Sequence, residues 1–347
     1  MRALSTANDI IAAVRTETST ALLDQACGLV ELGLVHDGLD HLLAGLERLR
    51  NTMNVDEWRA RTRSLRTTHP LTDMLYQDPL TSRAFAKPRG YAGDAVMMDY
   101  IYGIHSAYEA SRQASDAGRA VHQYIQSRPA ATAVRNRREH IAQLIDETAA
   151  GMSRPDILAV ASGHVREVEL STALASARIG RFVALDADAE SLREVDTQYA
   201  SLGVETVHAS VRHILARKVE LDQFDFVYAA GLYDYLNDAV ASALTARLFE
   251  LTRPGGRLLI PNFAPCCPDR AYLEAFMAWD LIYRDEFDMT GLLARIPAEE
   301  IASYDIYSDR SRSIVYLMIR KAACGFSSGS RSGVAKRHTR FVDCPHV

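Results

Sequence analysis

The chain has 347 residues, of which 48% are hydrophobic and 24% are charged, a composition typical of a globular protein with a sizeable core. Its formal net charge of -5 argues against a general nucleic-acid binder. No apolar run approaches the roughly 18 residues that a membrane span needs. Polar residues follow Met1, so we expect a cytoplasmic protein without a secretion signal. The five cysteines lack metal-ligand spacing, and we expect neither a metal site nor disulfides.

Residues 1–150 predict an N-terminal helical cap domain, because apolar residues recur near helical spacing along them. Asn54, followed three residues later by Glu57, predicts a capping box at one helix start. Residues 67–95 carry several prolines and glycines and predict loops joined by short helices. Two further helices are expected, over 95–103 and 129–149.

Strand and helix patterns alternate over residues 151–321 and predict a Rossmann-like, doubly wound α/β sheet that is mostly parallel. Six strands are expected, at 157–161, 181–185, 204–208, 224–230, 256–262 and 314–320. Pro254-Gly255-Gly256 predicts a tight turn before the fifth strand. Residues 322–347 are rich in Ser, Gly and Arg and predict a disordered tail.

The stretch from Ile157 to Asp186 predicts a strand, a small-residue turn, a helix and a second strand that ends in an acid. In such a unit the glycine lets a ligand approach the backbone, and the acid accepts hydrogen bonds from ribose hydroxyls. We therefore predict a nucleoside site at Gly163 and Asp186. Only one glycine follows the first strand, so a pyrophosphate cradle is missing and a nicotinamide oxidoreductase is disfavoured. Other residues at the carboxyl ends of the strands, of which His164 is not expected to be catalytic, are Ser162, His164, Ala187, Asp188, Ser210, Val211, Gly231, Tyr233, Asp234, Tyr235, Asn262 and Phe263.

Residues 155–320 resemble the class I S-adenosylmethionine-dependent methyltransferases. The resemblance rests on the turn at Gly163, the acid Asp186 and the five successive strand ends. The resemblance implies S-adenosyl-L-methionine as the cofactor and a seven-stranded sheet with an antiparallel edge. It places the methionine part of the cofactor at Ala161, Ser162 and Gly163, the ribose at Asp186 and Ala187, and the adenine beside Ser210 and Val211. The sequence departs from the family at two positions. Ala159 stands where the first strand often carries an acid, and Ala161 replaces the first glycine, so we expect a turn there without positive φ.

A narrower resemblance rests on the run Lys87-Pro88-Arg89-Gly90-Tyr91-Ala92-Gly93-Asp94. It extends through Ala161-Ser162-Gly163 with Arg166-Glu167, residues 230–236 and residues 279–284. These segments resemble a methyltransferase subgroup that includes enzymes similar to the maker of 3-hydroxypalmitic acid methyl ester, a bacterial signal. The likeness implies a small-molecule acceptor, such as a carboxylate, in secondary or signal metabolism.

Individual side chains have a functional and a structural interpretation. We expect Arg89 to meet a carboxylate of the cofactor or substrate and Tyr91 to contribute to catalysis, unless the loop is structural. Tyr233 and Asp234 are the other catalytic candidates, although Asp234 also suits a cap of the following helix. Glu167 suits either the cofactor ammonium or a simple helix N-terminus. Gly231 is expected at the cofactor. Trp279 and Tyr283 are expected one turn apart on a helix, in the core or as a lid.

Methyl transfer from a sulfonium is an in-line displacement, for which the protein supplies alignment and a dry cavity. We expect the acceptor between the helical cap and the strand ends. A carboxylate acceptor needs no general base, whereas an amine or hydroxyl does. Two alternatives keep the cofactor. One is cyclisation of S-adenosylmethionine to azetidine-2-carboxylate and methylthioadenosine, and the other is a non-catalytic binding protein, which Ala159 and Ala161 favour. The oligomeric state stays open.

Overall fold

The computed structural model describes residues 19–323 and 341–342, which belong to two compact units. The helical unit consists of Met1–Thr132 and Pro268–Asp280, and the sheet unit of Ala133–Cys267 and Leu281–Val347. These bounds differ from the domains expected at 1–150 and 151–321. A long helix is divided between the units at its first turn, and a segment from beyond the fifth strand belongs to the helical unit.

Helices make up the described part of the first unit and flank the sheet in the second. In chain order they are α1 (19–31), α2 (Val35–Asn51), α3 (Val55–Thr68), α4 (Leu71–Leu75), α5 (Pro79–Ala86), α6 (Ala95–Tyr102), α7 (His105–Arg112), α8 (Asp116–Ser127), α9 (Pro129–Gly151), α10 (Thr172–Ala175), α11 (Ala189–Tyr199), α12 (Val211–Leu215), α13 (Asp238–Glu250), α14 (Arg270–Ala275) and α15 (Glu286–Gly291). Short 3-10 turns lie at Arg166–Leu170, Ala200–Leu202, Tyr233–Tyr235, Leu292–Arg295 and Ala298–Glu300.

The sheet has the strand order β3-β2-β1-β4-β5-β7-β6-β8. Its strands are β1 (Asp156–Val160), β2 (Arg181–Asp186), β3 (Val204–His208), β4 (Phe224–Tyr228), β5 (Thr252–Phe263), β6 (Ile301–Asp309), β7 (Ile314–Lys321) and β8 (Phe341–Val342). Strands β1 to β5 are parallel, and β7 runs antiparallel to both β5 and β6. The Rossmann-like sheet with an antiparallel edge is confirmed, and β6 is an additional strand that the sequence analysis did not locate.

The turn expected before β5 needs revision, and most of the expected C-terminal tail lies outside the described residues. Pro254-Gly255-Gly256 does not precede β5 but lies within it, where the register against β4 shifts between Phe224 and Phe226 and Gly255 takes a φ of 81°. The two residues of β8 pair in parallel with Ser308 and Asp309 of β6. The rest of the expected tail, 324–340 and 343–347, lies outside the described residues.

Local signals in the helical unit form as the sequence predicts. The side chain of Asn54 accepts the Asp56 and Glu57 backbone N–H groups, and Glu57 accepts the Asn54 N–H, so the capping box is confirmed. The loop of residues 87–94 follows α5, where Lys87 takes a φ of 49°. Asp94 ends the loop by capping α6 and accepts two hydrogen bonds from Arg83.

Segment Pro268–Asp280 belongs to the helical unit because buried polar groups bind it there. The Glu274 carboxylate accepts hydrogen bonds from Arg50 Nε at 2.7 Å, Trp58 Nε1 at 2.7 Å and Arg270 Nε at 2.8 Å. Arg66 donates to the carbonyl oxygens of Glu274 and Ala275. A carboxylate with 8% side-chain exposure is stable only with such partners.

Candidate functional site

The predicted glycine and acid are in direct contact at the carboxyl ends of β1 and β2. Ser162 N donates to Leu185 O at 3.1 Å and so extends the pairing of the two strands. Gly163 N donates to Asp186 Oδ2 at 2.8 Å, and Asp188 N donates to Asp186 Oδ1 at 2.8 Å. The two N–H groups fix the orientation of a carboxylate that is only 8% exposed. The turn and the acid therefore form one site.

The turn after β1 has a left-handed backbone at residues other than glycine, which corrects the expectation for Ala161. Ala161 takes a φ of 50°, Gly163 a φ of 54° and Val165 a φ of 48°. An L-residue in this region carries a penalty of about 1–2 kcal/mol, and a β-branched residue such as Val165 is especially unusual there. The Val165 N–H closes the turn by donating to Ser162 O at 2.9 Å. The surrounding fold, and not residue preference, imposes this shape.

A buried hydroxyl in the same turn suits a ligand. Within the part of the chain that the structure describes, Ser162 Oγ is buried without a hydrogen-bond partner. Leaving such a group unsatisfied costs about 1–3 kcal/mol, and buried polar atoms of this kind are uncommon. A polar ligand atom at this position would remove that penalty. The turn residues thus fit a nucleoside cofactor with polar substituents.

Glu167 lies on the 3-10 turn that follows, and not on the first turn of an α-helix. Its carboxylate is buried and accepts a hydrogen bond from the Tyr228 hydroxyl at the end of β4. Burial raises the pKa of Glu167, while the Tyr228 hydrogen bond and the charges of Arg138 and Arg137 act in the opposite direction. A carboxyl in this setting favours a cationic partner, because a nearby positive charge stabilises its ionised form.

Tyr233 and Asp234 lie on the 3-10 turn after β4, and both side chains are buried. The Tyr233 ring is fully buried in the sheet-unit core, and its hydroxyl lies 3.1 Å from Thr245 Oγ1. Asp234 Oδ1 accepts the Phe263 N–H at 2.7 Å, and burial raises the pKa of this carboxyl to about 6. Asn237, and not Asp234, caps the following helix α13, so the capping alternative for Asp234 is wrong.

Arg284 holds this turn, a role that the sequence analysis missed. Its guanidinium is fully buried, and Nη1 donates to Tyr233 O at 2.8 Å and to Asn262 Oδ1 at 2.9 Å. Nη2 donates to Asp238 Oδ1 at 2.8 Å. The signal was present in the subgroup resemblance, which included residues 279–284, but the segment was expected to be a helix. Residues 278–285 are instead non-helical, which corrects the expectation for Trp279 and Tyr283.

The remaining strand-end candidates follow β2 and β3, except Gly231, which follows β4. Ser210 caps α12 by accepting the His213 N–H, and Val211 is the first residue of that helix. Ala187 is exposed after β2, and its carbonyl lies 3.0 Å from His208 Nε2. Asp188 caps α11 through the Glu190 N–H. Gly231, after β4, takes a φ of 95°.

Arg89 and Tyr91 belong to the helical unit, in the loop between α5 and α6. Tyr91 is 36% exposed. Lys87 at the loop start donates from Nζ to Ala278 O at 2.7 Å, so the loop is fixed to segment Pro268–Asp280 of its own unit. The functional roles expected for Arg89 and Tyr91 stay predictions.

Among residues 19–323, no group of three or more His, Cys, Asp or Glu side chains is placed to hold a metal ion. None of the helices that the structure describes has both the length and the apolar character needed to cross a membrane.

Comparison with known proteins finds a family similarity in the centre of the sheet unit. Residues 157–256 match the family model described as a methyltransferase domain. The match begins in β1, ends in β5 and includes both Gly163 and Asp186. Over these residues the chain is therefore similar to a methyltransferase domain, and its sheet is Rossmann-like. A search of curated proteins found no match to the sequence.

Solved structures are similar to this chain at low sequence identity. A possible exported protein from Bordetella parapertussis has a TM-score of 0.50 and 16% identity, over 73% of this chain and 96% of its own. Magnesium protoporphyrin IX methyltransferase (ChlM) from Synechocystis PCC 6803 with bound S-adenosylhomocysteine has a TM-score of 0.47 and 15% identity. The match covers 70% of this chain and 98% of that protein. The N-methyltransferase NodS from Bradyrhizobium japonicum WM9, in complex with S-adenosylhomocysteine, has a TM-score of 0.41 and 13% identity. The match covers 61% of this chain and 95% of that protein.

Proposed function

We propose that this protein is an S-adenosylmethionine-dependent methyltransferase that acts on a small molecule, with a carboxylate as the acceptor group. The match of residues 157–256 to a methyltransferase domain carries the proposal. The contact between Gly163 and Asp186 supports it, because it brings the two predicted nucleoside-binding groups to one strand edge.

S-adenosylmethionine, when bound, supplies a methyl group on a positively charged sulfur. Asp186 binds the ribose: each of its oxygens accepts one backbone N–H, and a carboxylate oxygen has a second lone pair for a hydroxyl donor. Ser162 Oγ gains a polar partner at the same turn. Ser210 and Val211 lie beside the adenine, and Glu167 accepts the ammonium.

The acceptor side of the reaction needs alignment more than proton transfer. A carboxylate is already ionised at neutral pH, so it attacks the methyl carbon without a base. Asp234 lies after β4 with its carboxyl held by the Phe263 N–H, and we propose that it faces the reacting groups. Tyr233 supports that turn from the core through its Thr245 contact. A catalytic role for Tyr91 is part of the proposal.

The test is to identify the nucleoside product. Purified protein is incubated with S-adenosylmethionine alone and with a panel of small carboxylic acids, and the products are analysed by mass spectrometry. Formation of S-adenosylhomocysteine that depends on an acid, together with the methyl ester, is the expected result. Methylthioadenosine with azetidine-2-carboxylate would instead establish the cyclisation. Tight cofactor binding without any product would establish the non-catalytic alternative.

Two variants test the site assignment by titration calorimetry. Asp186→Ala should weaken S-adenosylmethionine binding by about 1.5–3 kcal/mol, the scale of hydrogen bonds to a charged group. The matched control is Glu220→Ala, which removes an exposed acid between α12 and β4 and should leave binding unchanged. A folded Asp186→Ala protein with wild-type affinity contradicts the placement of the ribose.

A further inference from the structure

A buried arginine lies at the carboxyl end of β4, outside the predicted set of site residues. Arg137 is on α9, within the sheet unit, and is only 5% exposed. A side chain added at Gly231 would place its Cβ 3.6 Å from Nη2 and 3.7 Å from Nη1 of Arg137. Since Gly231 follows β4, the guanidinium lies at the sheet edge where parallel strands bind ligands.

Arg137 is close to two buried acids of the same edge. Its charge lowers the pKa of Glu167 and that of Asp234, against the effect of burial, which raises both. Two other arginines also carry charge near these acids: Arg138 lowers the pKa of Glu167, and Arg284 lowers that of Asp234. Arg138 donates to Arg166 O and to Glu169, and Arg284 binds the Tyr233–Tyr235 turn. This edge of the sheet thus brings several guanidinium groups, Arg137 among them, near two buried carboxyls.

The order of the strands separates this cluster from the nucleoside-binding groups. Asp186 ends β2 and Ser210 follows β3, on one side of β1, whereas Gly231 follows β4 on the other side. A nucleoside at the ends of β2 and β3 would direct its 5′ substituent across the β1 turn toward β4. The 5′ substituent of S-adenosylmethionine is an α-amino acid, which carries one carboxylate and one ammonium.

We infer that Arg137 binds the carboxylate of the amino-acid end of the cofactor, while Glu167 binds its ammonium. The inference rests on the proposed function and replaces Arg89 as the carboxylate ligand. A guanidinium presents a planar fork that matches a carboxylate, and a buried site strengthens such a pair. Glu167 and Asp234 supply the negative charge that a neighbouring ammonium and sulfonium require.

The test compares ligands that differ only at the amino-acid end. Titration calorimetry measures binding of S-adenosylhomocysteine, of its decarboxylated analogue and of methylthioadenosine, which lacks the amino-acid end. The wild-type protein should bind S-adenosylhomocysteine about 10- to 100-fold more tightly than the decarboxylated analogue. This comparison needs no variant, and equal affinities would overturn the inference.

The variant Arg137→Gln should lose about 10- to 100-fold in affinity for S-adenosylhomocysteine and less than about twofold for methylthioadenosine. Arg137→Lys should recover part of the loss. Arg193→Gln, at a site with 74% side-chain exposure on α11, is the matched control and should bind all three ligands normally.

An equal loss for all three ligands would show that Arg137 only supports the fold, and would overturn the inference. If Arg137→Gln fails to fold, the wild-type ligand comparison decides alone. A wild-type protein that binds neither S-adenosylhomocysteine nor methylthioadenosine would refute the proposed function itself, which is a distinct outcome.

Discussion

The buried carboxyl of Asp234 should make the stability of the protein depend on pH in a defined direction. Burial raises its pKa to about 6 from the usual 3.8, because the Phe263 N–H, Arg137 and Arg284 offset only part of the lost hydration. A difference of about two pH units corresponds to about 3 kcal/mol. This energy opposes folding whenever the folded protein must ionise the group.

The sign follows from proton binding in the two states. Below about pH 4 the carboxyl is largely protonated in both the folded and the unfolded chain, so the penalty is small. Between about pH 4 and pH 6 the unfolded chain releases the proton while the folded chain retains it, and stability falls by about 2 kcal/mol. Above about pH 7 both states are ionised and the penalty of about 3 kcal/mol stays constant.

The assay compares the wild-type protein with Asp234→Asn. The amide oxygen of the variant still accepts the Phe263 N–H, but the side chain cannot ionise. Urea unfolding between pH 4 and pH 8, without cofactor, should give a variant-minus-wild-type stability difference that rises by about 2 kcal/mol from pH 4 to pH 6 and then levels off. Because other carboxyls titrate equally in both proteins, they cancel in the difference. A difference that does not change with pH would refute the burial argument.

Three further substitutions test local features by urea unfolding. Ala161→Gly should stabilise the protein slightly, by up to about 1 kcal/mol, because glycine tolerates the φ of 50°. The gain is small because glycine also has more freedom in the unfolded chain. A clear loss of stability would contradict this backbone conformation. Asn54→Ala should cost about 1 kcal/mol through loss of the capping box, and the already exposed Val55→Ala is its control. Glu274→Gln should cost more, about 3 kcal/mol, because Arg50 and Arg270 lose their buried anion; a loss under about 1 kcal/mol would show that this cluster is not important for stability.

Local sequence signals were sufficient for the parallel half of the sheet. The run Ile157–Ala161 predicted β1 because both faces of a central parallel strand are apolar, and the structure buries Ile157 to Val160 completely. Asp186 and Gly163 were located correctly because chain direction alone places the ends of parallel strands at one edge. Strand β6 was not located, since its outer residues are mixed in polarity and half exposed.

The missed features depend on partners that are distant in the sequence. Arginine is usually a surface residue, so the sequence gives no sign that Arg137 and Arg284 are buried. Their burial depends on groups that the fold brings next to them: Gly231 beside Arg137 and Asn262 beside Arg284. The left-handed backbone of Ala161 is imposed by neighbouring strands and contradicts the preference of alanine. The spacing of Trp279 and Tyr283 suits a helix, but Ile282 N donates to Asp234 O and Arg284 N to Phe263 O, and the segment is non-helical.

Because segment Pro268–Asp280 belongs to the helical unit, the order of synthesis affects how that unit is completed. A ribosome delivers α1 to α8 first, yet Glu274 and its hydrogen-bond donors can meet only after β1 to β5 have also been made. The surfaces of α2 and α3 that pack against α14 therefore stay uncovered until that downstream segment has been made. No single cut in the gene can yield two fragments that each contain a complete unit, so attempts to express either part should retain 268–280 with the helices.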